Sequence, residues 1–220
     1  MRYAIAAGFA ALLLTTGCSG NTVVRYKLTF DTPGAGDQQE LTLASIRTIE
    51  RRLESMGEQL VDKEVTVESG SSLLTITVAD RTIADLLTED LTQPLQFRIM
   101  EQAPEAQADT VVIGHGGFRE TGIDDRSLYS ASASEDAEKK GIIQLAFTDQ
   151  GRTALAGVFR RNKGAYIGLF VRGRLASKLL VESDTLREHI VIRDLPTSEI
   201  ARVFADDLNV GIHVTFTRLP

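Results

Sequence analysis

The stretch LTLASIRTIERRLESMG, residues 41–57, predicts an amphipathic helix and with it the class of the fold. Its apolar residues recur at spacings of three and four, which places them on one helix face: Leu43, Ile46, Ile49, Leu53 and Met56. Gly57 stands where such a helix would end, because glycine readily adopts the left-handed conformation that closes a helix. A helix with one apolar face must cover a sheet or other helices, so strands are expected on both sides of it.

Alternating apolar and polar residues indicate those strands. They are predicted at 24–30, 61–67, 74–78 and 95–99, with a second helix at 83–91. This order, βαββαβ, is typical of the ferredoxin-like arrangement, in which both helices cover one face of a four-stranded sheet. The segment DTPGAGDQQE, residues 31–40, is interpreted as a connecting loop because it lacks the lysine and the spacing of a phosphate-binding loop.

The second half of the chain repeats the same order after a polar segment. Strands are predicted at 143–147, 167–171, 190–192 and 214–216, and Thr148 and Thr197 are candidate helix caps. The sequence therefore predicts an α+β fold of two tandem ferredoxin-like (βαββαβ) units with antiparallel sheets. The first unit spans 23–101, a linker or loop spans 102–117, and the second unit spans 118–220. The pattern leaves open whether the last helix and strand pack on the second unit or return to the first.

The N-terminus resembles a bacterial lipoprotein signal. A positive charge at Arg2 precedes an apolar run from Ala4 to Leu14, which as a helix would rise about 16 Å and is too short to span a bilayer. The resemblance implies a signal peptide over 1–17, cleavage before Cys18, acylation of the Cys18 thiol and a tether over 18–22. The alternative is an ordinary export signal that contains the only cysteine of the chain.

The predicted location is the cell envelope, facing away from the cytoplasm. By analogy with lipoprotein sorting, Ser19 after the cysteine favours the outer membrane, on its periplasmic face, where two membranes exist; otherwise the outer face of the cytoplasmic membrane is expected. Without Arg2, 23 basic residues stand against 30 acidic ones, a net charge of −7. This charge argues against nucleic acid as a partner, since phosphate backbones require a basic surface.

The residues from Val24 to Phe216 resemble, in one collinear order, the large first periplasmic domain of SecD, an accessory subunit of bacterial protein export. The segment 46–101 matches a helix ending in R-R-L-x-x-x-G, a strand pair, and a short helix leading into L-x-F-R, here Leu95, Phe97 and Arg98. The segment 143–181 resembles the family's strand, D-x-x-G helix and hairpin, with Asp149 and Gly173 in matching places. The resemblance implies a base unit over 23–101 and a head unit over 118–220.

The sequence departs from the family at several positions. Val78-Ala79-Asp80 replaces L-P-G, Gly211-Ile212-His213-Val214 replaces G-A-L-P, and Arg172 replaces the aspartate of L-D-G-K. No apolar run approaches the 18 residues of a membrane span, and the acyl chains on Cys18 are expected to do the work of the family's first membrane helix.

No catalytic constellation is present in the sequence, so a non-catalytic binding module without cofactor or metal is predicted. The histidines His115, His189 and His213 are far apart and do not have metal-ligand spacing. Asp206 and Asp207 are adjacent, and neighbouring residues on a helix point about 100° apart, which favours a solvated face over an acid–base pair.

The resemblance implies that the partner is unfolded secretory polypeptide or the export machinery. A polypeptide site needs exposed apolar surface or accessible strand edges. The candidates are Phe118 in a glycine-flanked loop, Phe170 opposite its strand's core side, and Leu179 and Leu180 near a turn; packing between the two units is the alternative for each. A second function remains open, that of a structural lipoprotein docking on a membrane protein complex through a sheet face.

Acylation of Cys18 gives the first testable prediction. Wild-type protein should incorporate labelled palmitate and sediment with membranes, because acylated chains partition into the bilayer. Cys18→Ala should lose the label and be released or accumulate as uncut precursor. Palmitate labelling that is unchanged in Cys18→Ala would refute the lipoprotein interpretation.

Overall fold

The computed structural model describes residues 20–32, 34–68, 70–185 and 189–220; the predicted signal peptide and Cys18 lie outside them. Within these ranges the chain is a mixed α+β fold with antiparallel sheets and four α-helices. The helices are α1 (Ala35–Ser55), α2 (Arg81–Thr92), α3 (Asp149–Arg161) and α4 (Ser198–His213). The strands are β1 (Thr22–Phe30), β2 (Asp62–Glu68), β3 (Ser71–Val78), β4 (Phe97–Ala103), β5 (Thr110–Val112), β6 (Gly116–Asp124), β7 (Leu128–Glu135), β8 (Gly141–Phe147), β9 (Tyr166–Val171), β10 (Arg174–Leu180), β11 (His189–Leu195) and β12 (Val214–Leu219).

The first sheet has the strand order β12-β1-β3-β2. Strands β1, β3 and β12 place buried residues at alternate positions, because helices α1 and α2 cover only one face of the sheet. Tyr26 and Ile76 from the strands pack with Ile49, Leu53 and Leu87 from the two helices, and all five are 0% exposed. The helix predicted from 41–57 is therefore the cover of this sheet.

The prediction that strand 95–99 completes the first sheet is wrong. This strand, β4, pairs with β6 and β9, and the fourth place beside β1 is taken by β12. The reason lies in its side chains: Ile99 and Met100 are adjacent and both buried, so β4 needs apolar cover on both faces. By contrast, β12 buries only Val214 and Phe216, an alternation that suits a sheet with one covered face.

The second half of the chain contains two sheets rather than a second ferredoxin-like unit. A five-stranded sheet has the order β10-β9-β4-β6-β5, and a three-stranded sheet has the order β11-β8-β7. A shared core joins both sheets with α3 and α4, and includes Phe97, Leu145, Leu155, Leu169 and Leu208. The predicted tandem repeat is not confirmed, because strands 143–147 and 167–171 lie in different sheets.

Two segments that were expected to be loops contain regular structure. Residues 102–117 include the end of β4, the whole of β5 and the start of β6, and β7 follows before Gly141. Strand β5 has only three residues, and β6 and β7 are rich in glycine, serine and alanine, which give little hydrophobic alternation to detect. Helix α1 begins at Ala35, inside the predicted loop 31–40.

The two predicted helix caps and the predicted end of the first helix are confirmed. The Thr148 hydroxyl accepts a hydrogen bond from the Gly151 amide at 3.1 Å, and the Thr197 hydroxyl accepts one from the Ile200 amide at 3.2 Å. Gly57 has φ 78° just after α1, the left-handed conformation expected of a residue that closes a helix.

The two halves of the chain are joined by charged side chains as well as by β12. Asp90 on α2 accepts hydrogen bonds from Arg52 on α1 and, at 2.6 Å, from Arg172 in the β9–β10 turn. Arg172 is one of the positions at which the sequence departs from SecD. No helix in the described ranges is both long and apolar enough to cross a membrane.

The role of β12 can be tested through Phe216. Its side chain is 7% exposed, and its ring meets that of Tyr26 edge-on at 6.1 Å. Phe216→Ala should lower the free energy of unfolding by about 3 kcal/mol, because it removes a buried aromatic ring from the first sheet's core. The measurement is urea unfolding followed by circular dichroism.

Thr217→Ala is the matched control, since Thr217 is exposed on the same strand. It should change stability by about 0.5 kcal/mol or less. An equal decrease in the free energy of unfolding in the two variants would contradict the pairing of β12 with β1.

Candidate functional site

An open groove of about 1110 Å³ lies between α1, β7 and α4. The first half of α1 forms one wall, and both ends of α4 line it. Strand β7 is the edge of its sheet, since only β8 pairs with it within the described chain. The groove therefore combines a helical wall with a free strand edge.

Ion pairs between α1 and α4 hold the helical wall. Arg47 donates two hydrogen bonds to the Asp206 carboxylate, both at 2.8 Å, and Arg51 donates one to Asp207 at 2.9 Å. The bonds to Asp206 raise the pKa of the Arg47 guanidinium above its ordinary value. The expected solvated face is wrong for Asp206, which is 7% exposed, because α4 turns this residue towards α1.

Asn209 caps part of the β7 edge. Its Oδ1 accepts a hydrogen bond from the Ala131 amide at 2.8 Å, and its Nδ2 donates one to the Ala131 carbonyl at 2.7 Å. This pair of bonds is the one that a residue of a neighbouring antiparallel strand would make. The Asn209 carboxamide thus occupies the place of a strand partner at this position.

His213 closes one end of the groove. Its Nδ1 lies 2.6 Å from Asp31 Oδ1, and its Nε2 lies 2.8 Å from the Tyr129 carbonyl oxygen. Asp31 follows β1 and Tyr129 belongs to β7, so this side chain joins the first sheet to the three-stranded sheet. The edge of β7 is therefore covered by side chains from Tyr129 to Ala131.

Acidic side chains outnumber basic ones around the groove. Arg47 is paired with Asp206, and Arg202 with Glu199. Four further carboxylates of the lining take part in no ion pair among the described residues: Asp37, Glu40, Asp125 and Glu135. The net formal charge of the lining is accordingly negative, which favours basic ligands.

Phe118 and Phe170, two of the predicted binding residues, are buried. They are 0% and 2% exposed, and their rings meet edge-on at 5.2 Å beside Met100. Phe170 does point away from the main core, as its strand position predicts. The expected exposure is wrong because Met100, Val112 and Leu175 pack against the two rings in a second small core.

The other two predicted residues lie apart from this aromatic pair. Leu179 packs against the main core on the opposite face of the sheet, and Leu180 is 48% exposed. The four side chains therefore do not form one apolar surface. The structure brings together a different set, led by Asn209, Ala131 and Arg47, which the sequence analysis did not select. The run SASAS at 130–134, unusually small and polar for a strand, is the signal that could have indicated this edge.

Glu101 is the buried carboxylate best placed for chemistry, yet its hydrogen bonds tie it into the fold. It is 4% exposed and accepts bonds from Asn162 at 2.8 Å, Arg119 at 2.5 Å and Arg161 at 2.6 Å. Burial pushes its pKa up, but the three donors outweigh burial and leave the pKa below its ordinary value. The described residues contain no group of three side chains placed to hold a metal ion.

Comparison with known proteins finds solved structures that have a similar architecture. No family profile and no curated protein matches the chain. The structure of SecDF in its super-membrane-facing form matches 91% of this chain and 30% of its own, with 16% sequence identity and a TM-score of 0.50.

This chain has a SecD-like fold.

Two further SecDF structures match at lower TM-scores. SecDF described as a translocon-associated membrane protein from Thermus thermophilus matches 89% of this chain and 30% of its own, at 16% identity and a TM-score of 0.48. A structure of SecDF described as a membrane component that enhances protein export matches 89% of this chain and 99% of its own, at 15% identity and a TM-score of 0.47. The chain thus spans about a third of the length of two of these SecDF structures. The predicted resemblance to SecD is confirmed at the level of fold.

The depressed pKa of Glu101 gives a pH-dependent prediction. A carboxylate whose folded pKa lies below the unfolded value of about 4.3 stabilises the fold above that value. The contribution is lost as the pH falls through the folded pKa. Glu101→Gln should therefore destabilise the protein by about 2 kcal/mol at pH 7, because it weakens bonds to two arginines.

The difference in free energy of unfolding between wild type and Glu101→Gln should become smaller as the pH falls from about 5 to about 3. Urea unfolding across that range measures it. Glu64→Gln is the control, since Glu64 is exposed on β2. A Glu101→Gln difference that stays constant with pH would contradict the charged role of this carboxylate.

Proposed function

We propose that this protein is a non-catalytic envelope lipoprotein that assists protein export by holding unfolded exported polypeptide. The observation that carries the proposal is the open groove, in which a strand edge faces outward beside a wall of paired helices. Unfolded chains offer a backbone without fixed side-chain pattern, and a free strand edge is a surface that binds backbone. The SecD-like fold supports export as the process.

The proposed anchor sets the distance of this groove from the membrane. Only residues 19–21 separate Cys18 from β1, so a fully extended tether reaches about 13 Å. A protein acylated at Cys18 would therefore keep its first sheet next to the bilayer, facing away from the cytoplasm. In this position the groove would face polypeptides that have already crossed the cytoplasmic membrane.

Weak and reversible binding is expected. A holding protein without an energy source must release its partner spontaneously, which favours dissociation constants near micromolar, about −8 kcal/mol. The buried state of Phe118 and Phe170 agrees with this expectation, because an exposed aromatic anchor would add a strong apolar contact.

A second function is favoured by the outer face of the first sheet. In the described residues both α1 and α2 pack on the opposite face, and Val23 remains 58% exposed among threonines and charged residues. This face suits docking on a membrane protein complex, with a structural role for the lipoprotein. Crosslinking in intact envelopes followed by purification separates the two functions: holding predicts many export substrates, and docking predicts one stoichiometric partner.

The binding test uses the mature chain with Cys18→Ser, which retains every described element. A labelled, permanently unfolded secretory protein should bind with a dissociation constant near micromolar in fluorescence anisotropy. Its folded form should bind at least about tenfold more weakly, because its backbone is already paired. Equal affinity for both forms, or no binding at about 100 µM protein, would favour the docking function instead.

A further inference from the structure

We infer that the groove binds a lysine- or arginine-bearing extended polypeptide as an added strand on the free edge of β7, along Ala133–Glu135. The inference rests on the proposed function and specifies its mode of binding and the charge of the preferred segment. Three features of the groove carry it: the direction of the β7 backbone, the Asn209 carboxamide, and the uncompensated carboxylates.

The direction of the β7 backbone follows from its pairing with β8. In an antiparallel pair, successive residues alternate between bonding the neighbouring strand and pointing away from it. The backbone amide and carbonyl of Ala131 bond Asn209 rather than β8, so they face away from the sheet. The backbone groups of Ser132 therefore face β8, and those of Ala133 face away from the sheet again. Among the described residues no hydrogen bond reaches the Ala133 amide or carbonyl from the groove side. An incoming backbone can therefore pair at Ala133 without disturbing the sheet.

The Asn209 carboxamide shows that this edge accepts a peptide-like partner. It carries the same donor and acceptor as a backbone amide, and it bonds both groups of Ala131 at 2.7–2.8 Å. An added strand that starts at Ala133 would continue the row that Asn209 begins. Ser130, Ser132 and Ser134 have short side chains, so the approach to the edge is not blocked.

The charge of the groove selects the side chains of the added strand. Glu135 stands at the end of β7, and Asp37 and Glu40 stand on the facing part of α1, outside the ion pairs of the described chain. Lysine or arginine side chains of an extended segment would lie between the carboxylate of Glu135 and those of Asp37 and Glu40. Such exposed pairs contribute modestly to affinity but speed association and set the preference among segments.

Peptide binding to the acyl-free mature chain tests the charge preference. The probe is a fluorescein-labelled extended peptide of valine and threonine that carries two lysines, and its twin carries two glutamates instead. The lysine peptide should bind about fivefold or more tightly than its twin at low salt, and the difference should shrink in about 0.5 M salt. The double change Glu40→Gln and Glu135→Gln should remove the preference, whereas Glu64→Gln, the same change outside the groove, should keep it.

The backbone contact is tested at Ala133. Ala133→Pro removes the outward backbone amide at an edge position where proline is tolerated. It should lower the affinity for the lysine peptide about tenfold. Ala133→Ser keeps the amide and should bind as wild type does. A probe with alternate N-methylated residues, which lack the backbone donors, should bind wild type about tenfold more weakly and gives the same test without altering the protein.

The outcomes separate this inference from the function on which it rests. If the unfolded secretory protein binds wild type and the Ala133→Pro variant equally, and N-methylation has no effect, strand addition to β7 is wrong while the holding function stands. Equal binding of the lysine and glutamate peptides overturns the charge preference. If wild type binds neither the peptides nor the unfolded protein, the holding function and this inference both fail.

Discussion

The pairing of β12 with β1 is the contact on which the arrangement of the chain depends. Six residue pairs, from Arg25 with Leu219 to Phe30 with Val214, join the last strand to the first. Because β12 directly follows α4, this pairing brings α4 back to α1 and sets the two halves of the chain side by side. The groove lies where the two halves meet, so its formation depends on the pairing of β1 with β12.

Helix α4 connects three parts of the molecule by using different faces. Asp206 pairs with α1, Asn209 bonds the edge of β7, and Leu208 enters the main core. Gly211 brings the helix close to Leu95, since a Cβ at this position would lie 2.8 Å from the Leu95 Cβ. A larger residue would push α4 away from the start of β4 and would disturb the cores on both sides.

Burial of the aromatic pair shifts the proposed binding from side chains to backbone. Phe118 and Phe170 pack on Met100 over Gly168, where a Cβ would lie within 3 Å of both rings, so neither ring is available to a passing polypeptide. At Ala133 the outward backbone groups of β7 have no such internal partner among the described residues, since Asn209 and His213 bond only Ala131 and Tyr129. A partner bound through them would be recognised by its extended conformation and charge, with little demand on its sequence.

Local patterns in the sequence determined the elements, because helix periodicity, strand alternation and caps depend on residues close in the chain. They predicted α1 from Ile46, Ile49 and Leu53, the caps at Thr148 and Thr197, and the outward direction of Phe170. Pairing between strands depends on which partners cover each face, and only the tertiary structure decided that β4 leaves the first sheet and β12 replaces it. The site followed from that exchange: Asp206 and Asn209 look like ordinary polar helix residues until α4 is placed between α1 and β7. Sequence spacing could not reveal this placement, because Arg47 and Asp206 are 159 residues apart and meet only in the folded chain.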